Sequence, residues 1–361
     1  MDAFTPQQTI ELVSRIGCKK THMRWDKLFW NSFMAGPLLG FGCAVTLSTE
    51  AAPWYQQNAP GLIRTISAMF FPVGLIMIVL SGADLFTSNV MFMFTAFLHR
   101  RASLISLAIV WVTSFLANLA GTLFFMAIVT GYGGVFEIPA YRTEVINFAT
   151  AKCLTPTWVQ IFCRAIGANW LVCFAVYVSI SSREIASKIL AIWFPTFTFV
   201  ALGLDHVIAN MYFIPVAIFY GHPDIGVGLY IWKSMIPTTL GNVVGGGLFV
   251  GGMYWYLYLT GEGSDNITFS IGGLDSAMEV GGPMGPSHRR SVPNSAKEEE
   301  EKENKMANGE GPGPGHPNHV ASLPSSGHTM TSGLGRELTA EKYTNRKGIA
   351  STIEGQPVEG V

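Results

Sequence analysis

Charge is what this sequence has least of. Only 13% of the 361 residues are Asp, Glu, Lys or Arg, against roughly 25% in soluble domains. The shortage is concentrated: residues 28–260 hold 16 of the 47 charged side chains, and the remaining 31 lie in 1–27 and 261–361. A water-soluble enzyme of this size covers its core with charge, and this block cannot, which excludes ordinary soluble α/β and all-β enzymes. The net charge of −1 argues against a nucleic-acid partner. Cysteine is scarce as well. Five residues, at 18, 43, 153, 163 and 173, are odd in number and show no CxxC spacing. That pattern gives neither a disulfide framework nor a metal site. No HExxH and no Ser-His-Asp order at a helix start is present, so no catalytic residues and no cofactor are expected. The first residues, MDAFTPQQTIELVSRIG, lack a basic stretch followed by an apolar run, so no cleavable signal is expected.

What is abundant is long apolar sequence. Runs able to cross about 30 Å of hydrocarbon fall at about 28–49, 66–98, 104–131, 158–180, 189–220 and 234–260. The second and fifth are overlong and interrupted. Three regions follow: an N-terminal amphipathic segment (1–27), a six-span membrane domain (28–260) and a disordered tail (261–361). Thr5-Pro6 reads as a helix start and Gly17 as its stop, with Ile10, Val13 and Ile16 on one face. A helix lying on the membrane or bundle and a plain surface helix both fit. The tail's KEEEEKE and GEGPGPGHPNH segments cannot bury enough apolar surface to offset chain entropy. Basic residues of the short loops, Arg100, Arg101, Arg183 and Lys188, join Arg15, Lys19, Lys20, Arg24 and Lys27 on one side. Both termini are therefore expected in the cytoplasm, the plasma membrane being the expected location, and the Asn266-Ile267-Thr268 sequon is expected unglycosylated.

The two interrupted runs repeat each other. GADLFTSNVMF (82–92) aligns without a gap on GLDHVIANMYF (203–213), matching Gly82/Gly203, Asp84/Asp205, Asn89/Asn210 and Phe92/Phe213. Asn118-x-x-Gly121 likewise matches Asn242-x-x-Gly245. Two three-span halves follow, and an odd number of spans inverts the second half. The expected fold is all-α and membrane-integral, six helices in two inverted repeats with helices 2 and 5 broken. Broken helices in corresponding positions point to a transport path, since backbone freed at mid-membrane must face protein or a polar cavity.

His206 is the only histidine in an apolar run, and an intramembrane ionisable residue is functional by default. The alternative is a neutral histidine satisfied by a backbone carbonyl. Asp84 and Asp205 are expected to cap the half-helices that follow them, a structural role. Asn89, Asn118, Asn169, Asn210 and Asn242 are amides suited to tying helices and satisfying broken backbone, with Asn169 and Asn242 also placed to reach the path. Phe71, Leu75 and Phe199 face one another by spacing, as core or as a constriction. Lys152 and Arg164 fit either interface anchoring or an anion-attracting vestibule.

VLSGADLFTS (79–88) and AIGANWLVCFA (165–175) strongly resemble the two signature segments of the formate/nitrite transporter family, and GLDHVIANMYFIP (203–215) resembles its histidine-bearing fifth helix. The likeness covers about 5–260. The spans look closest to the eukaryotic, fungal-type nitrite members. Phe174 is a small departure, since the second signature usually has Leu or Val there. The resemblance implies an aquaporin-like protomer assembled as a homopentamer in the bilayer, with one pore each, moving a small weak-acid anion; a bare anion is costly in an apolar constriction, so the substrate, nitrite before formate, is expected to cross with a proton. It implies His206 as the central pore histidine with Thr87 as its partner, Phe71, Leu75 and Phe199 as an outer constriction, and Leu85, Phe86 and Val172 at or near an inner one. Asn169 and Asn242 would be pore-side residues and Lys152 the vestibule lysine. A formate or short-monocarboxylate channel is one alternative. A neutral-solute channel of the aquaporin type is another, but it should carry Asn-Pro-Ala at both breaks, which read Gly-Ala-Asp and Gly-Leu-Asp.

Overall fold

The computed structural model describes residues 3–261. The tail 262–361, with the Asn266 sequon, lies outside the described residues. Within them the protein is helical: α1 (Pro6–Thr21), α2 (Trp25–Glu50), α3 (Pro60–Ser81), α4 (Phe86–Leu98), α5 (Leu104–Gly131), α6 (Pro139–Ala149), α7 (Trp158–Ser181), α8 (Ile185–Ala201), α9 (Val207–Phe219) and α10 (227–259). Four of these, α2, α3, α5 and α7, are long and apolar enough to cross a membrane alone. The expected second and fifth runs are each split in two, and the last is wound with π-helical turns at Ile231–Met235 and Val244–Gly252. The split leaves the fifth run as helices of 17 and 13 residues, each short of a full crossing, while the first half of the second run remains long enough.

Apolar side chains point outward as well as inward. On α5, Ile105, Ile109, Val112 and Leu116 are all more than half exposed, the reverse of a soluble surface and suited to lipid or a neighbouring subunit.

The two splits share one local cause. Gly82 and Gly203 adopt positive φ, +75° and +69°, closing α3 and α8 in the left-handed conformation that glycine enters without a Cβ clash. Three residues outside any helix follow each, the last of them, Leu85 and His206, extended, and then α4 and α9 begin. The matched Gly121 and Gly245 serve the packing. A Cβ on Gly121 would sit 2.0 Å from the Phe33 carbonyl oxygen of α2, and one on Gly245 would sit 2.1 Å from the Ile166 carbonyl oxygen of α7.

α1 departs from expectation at its end. It continues through Gly17 to Thr21. Gly17 is a point of contact: a Cβ there would lie 2.2 Å from the Phe92 carbonyl oxygen of α4. The helix opens with the expected Thr5 cap, closed into a capping box by Gln8. Ile10, Val13 and Ile16 are buried against α4 and α7, so α1 is a working part of the bundle.

Candidate functional site

The two breaks meet at the centre. His206 is the N-cap of α9, and its Nδ1 accepts the Ala209 N–H at 3.2 Å. A nitrogen that accepts carries no proton, so the neutral ring holds its proton on Nε2. That Nε2–H donates to the Thr87 hydroxyl in the first turn of α4, 2.8 Å away. One side-chain hydrogen bond thus joins the two breaks. The Thr87 carbonyl accepts from Asn169 Nδ2 at 3.2 Å and from Cys173 Sγ at 3.2 Å. Asn169 Nδ2 also donates to the Asn242 carbonyl at 2.7 Å. All of these groups are buried.

The matched asparagines do the same work at each break. Asn118 Oδ1 accepts the Phe86 N–H at 2.8 Å, while its Nδ2 donates to the carbonyls of Asp84 at 2.9 Å and Ser32 at 2.6 Å. Asn242 Oδ1 accepts the Val207 N–H at 2.8 Å, and its Nδ2 donates to the carbonyls of Asp205 at 3.1 Å and Ala165 at 2.8 Å. The first N–H of each new half-helix is therefore taken by an amide from another helix. This corrects the capping role expected of Asp84 and Asp205. The N-cap positions belong to Leu85 and His206, one residue later. The carboxylates are free to pair with lysines: Asp84 with Lys20 of α1, and Asp205 Oδ1 with Lys152 Nζ at 3.2 Å. Lys152 also donates to the carbonyls of Gly203 at 2.9 Å and Leu204 at 2.8 Å, so one ion pair and two hydrogen bonds tie it to the break itself.

A cavity of about 510 Å³ opens from the side bearing Lys152 and reaches His206. Phe71 and Phe199 line it and meet edge-on, ring centroids 5.4 Å apart, with Phe199 6.0 Å from the His206 ring. Leu75, Leu85 and Val172 are buried and line neither this cavity nor the next, as is Phe86, whose ring packs edge-on against Phe115. On the opposite side a small cavity of about 30 Å³ holds Lys20, Asp84, Ser88 and Asn89. Both polar atoms of the Asn89 side chain are buried there without a hydrogen-bond partner, whereas Asn210 donates to Asp205 Oδ1 at 3.4 Å and Ser234 Oγ at 3.3 Å. The repeat is therefore faithful in backbone support and unequal in what it leaves open.

Sequence reasoning missed several lining residues. Lys20 reaches Asp84 from 64 positions away, with no local signal. Glu50, Gln56, Arg64 and Glu144 line the large cavity beside Arg164 and Lys152. Among the described residues no group of three or more His, Cys, Asp or Glu side chains is arranged to hold a metal ion.

The comparisons agree with one another. The formate/nitrite transporter family model matches residues 7–256. A probable formate transporter of Methanothermobacter thermautotrophicus is 38% identical over 271 residues, covering 71% of this chain and 97% of that protein. The structure resembles an FNT family ion channel with a TM-score of 0.64 at 26% identity, over 69% of this chain and 98% of that one. It also resembles a pentameric formate channel with formate bound, TM-score 0.58 at 27% identity, over 65% and 98%. With the family pattern running through both breaks and the residues that join them, the chain belongs to the formate/nitrite transporter family.

Proposed function

We propose that this protein carries a small monovalent weak-acid anion, nitrite or formate, together with a proton across the plasma membrane. The observation that carries the reading is the 2.8 Å bond between His206 Nε2 and Thr87 Oγ1 at the floor of the large cavity. The path crosses the membrane where two broken helices abut, in six spans arranged as two inverted halves. The matched hydrogen bonds of Asn118 and Asn242 support that arrangement. Both termini face the cytoplasm, so the cavity of Arg64, Arg164 and Lys152 is external. One solved relative is a pentameric formate channel, which supports a homopentamer with a path in each subunit. The sequence's likeness to fungal-type members makes nitrite the first substrate to try.

A bare anion in the apolar centre is costly, and buried ionisable groups normally neutralise. A weak acid has a route that a strong acid lacks: it takes a proton and crosses uncharged. With Nε2–H directed at Thr87 Oγ1, the threonine's own O–H is left to donate to an oxygen of the substrate. His206 and Thr87 are the groups through which the proton is handed on, and the Phe71–Phe199 pair excludes the hydrated ion. The test is flux of nitrite and formate into proteoliposomes holding only this protein, read with internal pH. Anion uptake without matching proton movement refutes the coupling and leaves a channel-mode pore. Uptake of uncharged solutes alone refutes the anion assignment.

A further inference from the structure

The external cavity holds two acids that the transport reading does not use. Glu50 ends α2 and Glu144 lies on α6, and both line the cavity. They are held close by one residue: Gln56 Nε2 donates to the Glu50 carbonyl at 2.6 Å and to Glu144 Oε2. Glu50 Oε1 in turn accepts from Ser67 Oγ at 2.9 Å. Carboxylates gathered at the mouth of an anion path are out of place if both stay charged, because each opposes the substrate.

The groups around Glu144 come from every element packed against it. Glu50 from α2, Arg64 from α3 and Lys152 beyond α6 line the cavity with it, Arg142 lies on its own helix, and the segment after α9, which packs on α6, carries Tyr220 and His222. Among the described residues no cation is paired with Glu144 itself. Arg142 donates to the Tyr220 carbonyl at 3.0 Å, Lys152 is bound to the helix break, and Arg64 acts on Glu50. His222 Nε2 is 2.9 Å from Thr150 Oγ1. Burial and then the neighbouring Glu50 push the Glu144 carboxyl up to about 7, with the Gln56 amide working the other way.

We propose that Glu144 is the proton-controlled charge of the external vestibule, setting the pH range in which small anions are admitted to His206. Protonated, it leaves Arg64 and Arg164 to draw the anion in. Ionised, it adds a second negative charge beside Glu50 and opposes them. The inference rests on the transport reading for its direction and its substrate class.

The experiment compares wild type and Glu144→Gln in proteoliposomes, with formate and nitrite gradients, from about pH 5.5 to about 8.5 outside. The quantity read is the ratio of variant to wild-type influx, which cancels the pH dependence of the substrate and of His206. It should be near one at the acid end. It should rise to about fourfold at the alkaline end, the effect of a unit charge roughly 10 Å from the anion in an effective dielectric of about 40. In a Glu50→Gln background the midpoint should move to lower pH, since the like charge is gone. Solubilised wild type, but not Glu144→Gln, should show a carboxylic-acid infrared band that titrates near neutrality, and Glu50→Gln should shift it toward acid. A pH-independent ratio in protein that moves the anions overturns this inference alone, as does the absence of the band. A wild type that moves neither anion overturns the transport reading and this inference with it.

Discussion

Replacing Asn242 by Leu keeps the volume and removes three hydrogen bonds at once: from Val207 N–H, to the Asp205 carbonyl and to the Ala165 carbonyl. Each is buried, so water does not substitute. A net value of about 0.5–1.5 kcal/mol per bond, or about 0.6 kcal/mol on the scale found between membrane helices, gives a loss of about 2–4 kcal/mol. The Val207 N–H, orphaned at the start of α9, holds the sum toward the upper end. Asn118→Leu removes the same set at the other break, Phe86 N–H and the carbonyls of Asp84 and Ser32. The two variants should therefore lose similar stability, within about 1 kcal/mol, and the double variant close to the sum, since no partner is shared. Denaturant unfolding in mixed micelles measures this, with flux at matched protein as the second readout, because the α4 and α9 termini hold Thr87 and His206 in register. A loss under about 1 kcal/mol at either position, or a loss at one and not the other, refutes the claim that these amides are equivalent supports of the breaks.

Three further outcomes are expected. His206→Asn keeps a side-chain oxygen able to accept the Ala209 N–H in place of Nδ1, so it should assemble normally yet change the pH profile of flux, and Thr87→Val should impair flux less; an unchanged rate and profile in His206→Asn makes the histidine structural. Gly17→Val places a Cβ within 2.2 Å of the Phe92 carbonyl oxygen and should lift α1 from the bundle, detected as faster proteolysis near residue 17; an unaltered digest refutes the close contact. Glu144 holds its proton more tightly folded, at about 7, than unfolded, at the ordinary 4.5, so its contribution to stability is whole at acid pH and fades as pH rises through 7; unfolding measured against pH should show a loss of up to about 3 kcal/mol, absent in Glu144→Gln.

The breaks were legible because their chemistry is local. A chain that must turn left-handed needs glycine, and Gly82 and Gly203 stand where φ is positive. A first N–H that must be satisfied from another helix needs an amide, and Asn118 and Asn242 stand at the same offset from a close-packed glycine. The misreadings came where one residue type serves two ends. Gly17 could end a helix or admit a neighbour's backbone, and only the position of α4 decides. Asp84 and Asp205 look like caps one residue too early, and their true partners, Lys20 and Lys152, come from segments outside the repeat. The Glu50–Gln56–Glu144 group was invisible for the same reason: its members come from a helix end, a six-residue helix (Pro53–Asn58) and a loop helix, and only the fold gathers them.

The pairing of Lys152 alters what a vestibule lysine does. A free cation would draw anions in by its own field. Here the charge is cancelled by Asp205, and two N–H groups are taken by the carbonyls of the break that follows α8. Lys152 removes two things that would repel an anion near His206. Lys152→Met should then cost about 3–5 kcal/mol and much of the flux, since it leaves Asp205 charged and wholly buried. Adding Asp205→Asn removes the stranded charge, so the double variant should recover the greater part of both assembly and flux, short of wild type by the two carbonyl bonds. An attracting lysine predicts the opposite, a double variant as defective in flux as Lys152→Met alone. The comparison, run at equal amounts of purified folded protein, separates a lysine that draws the anion from one that clears its way.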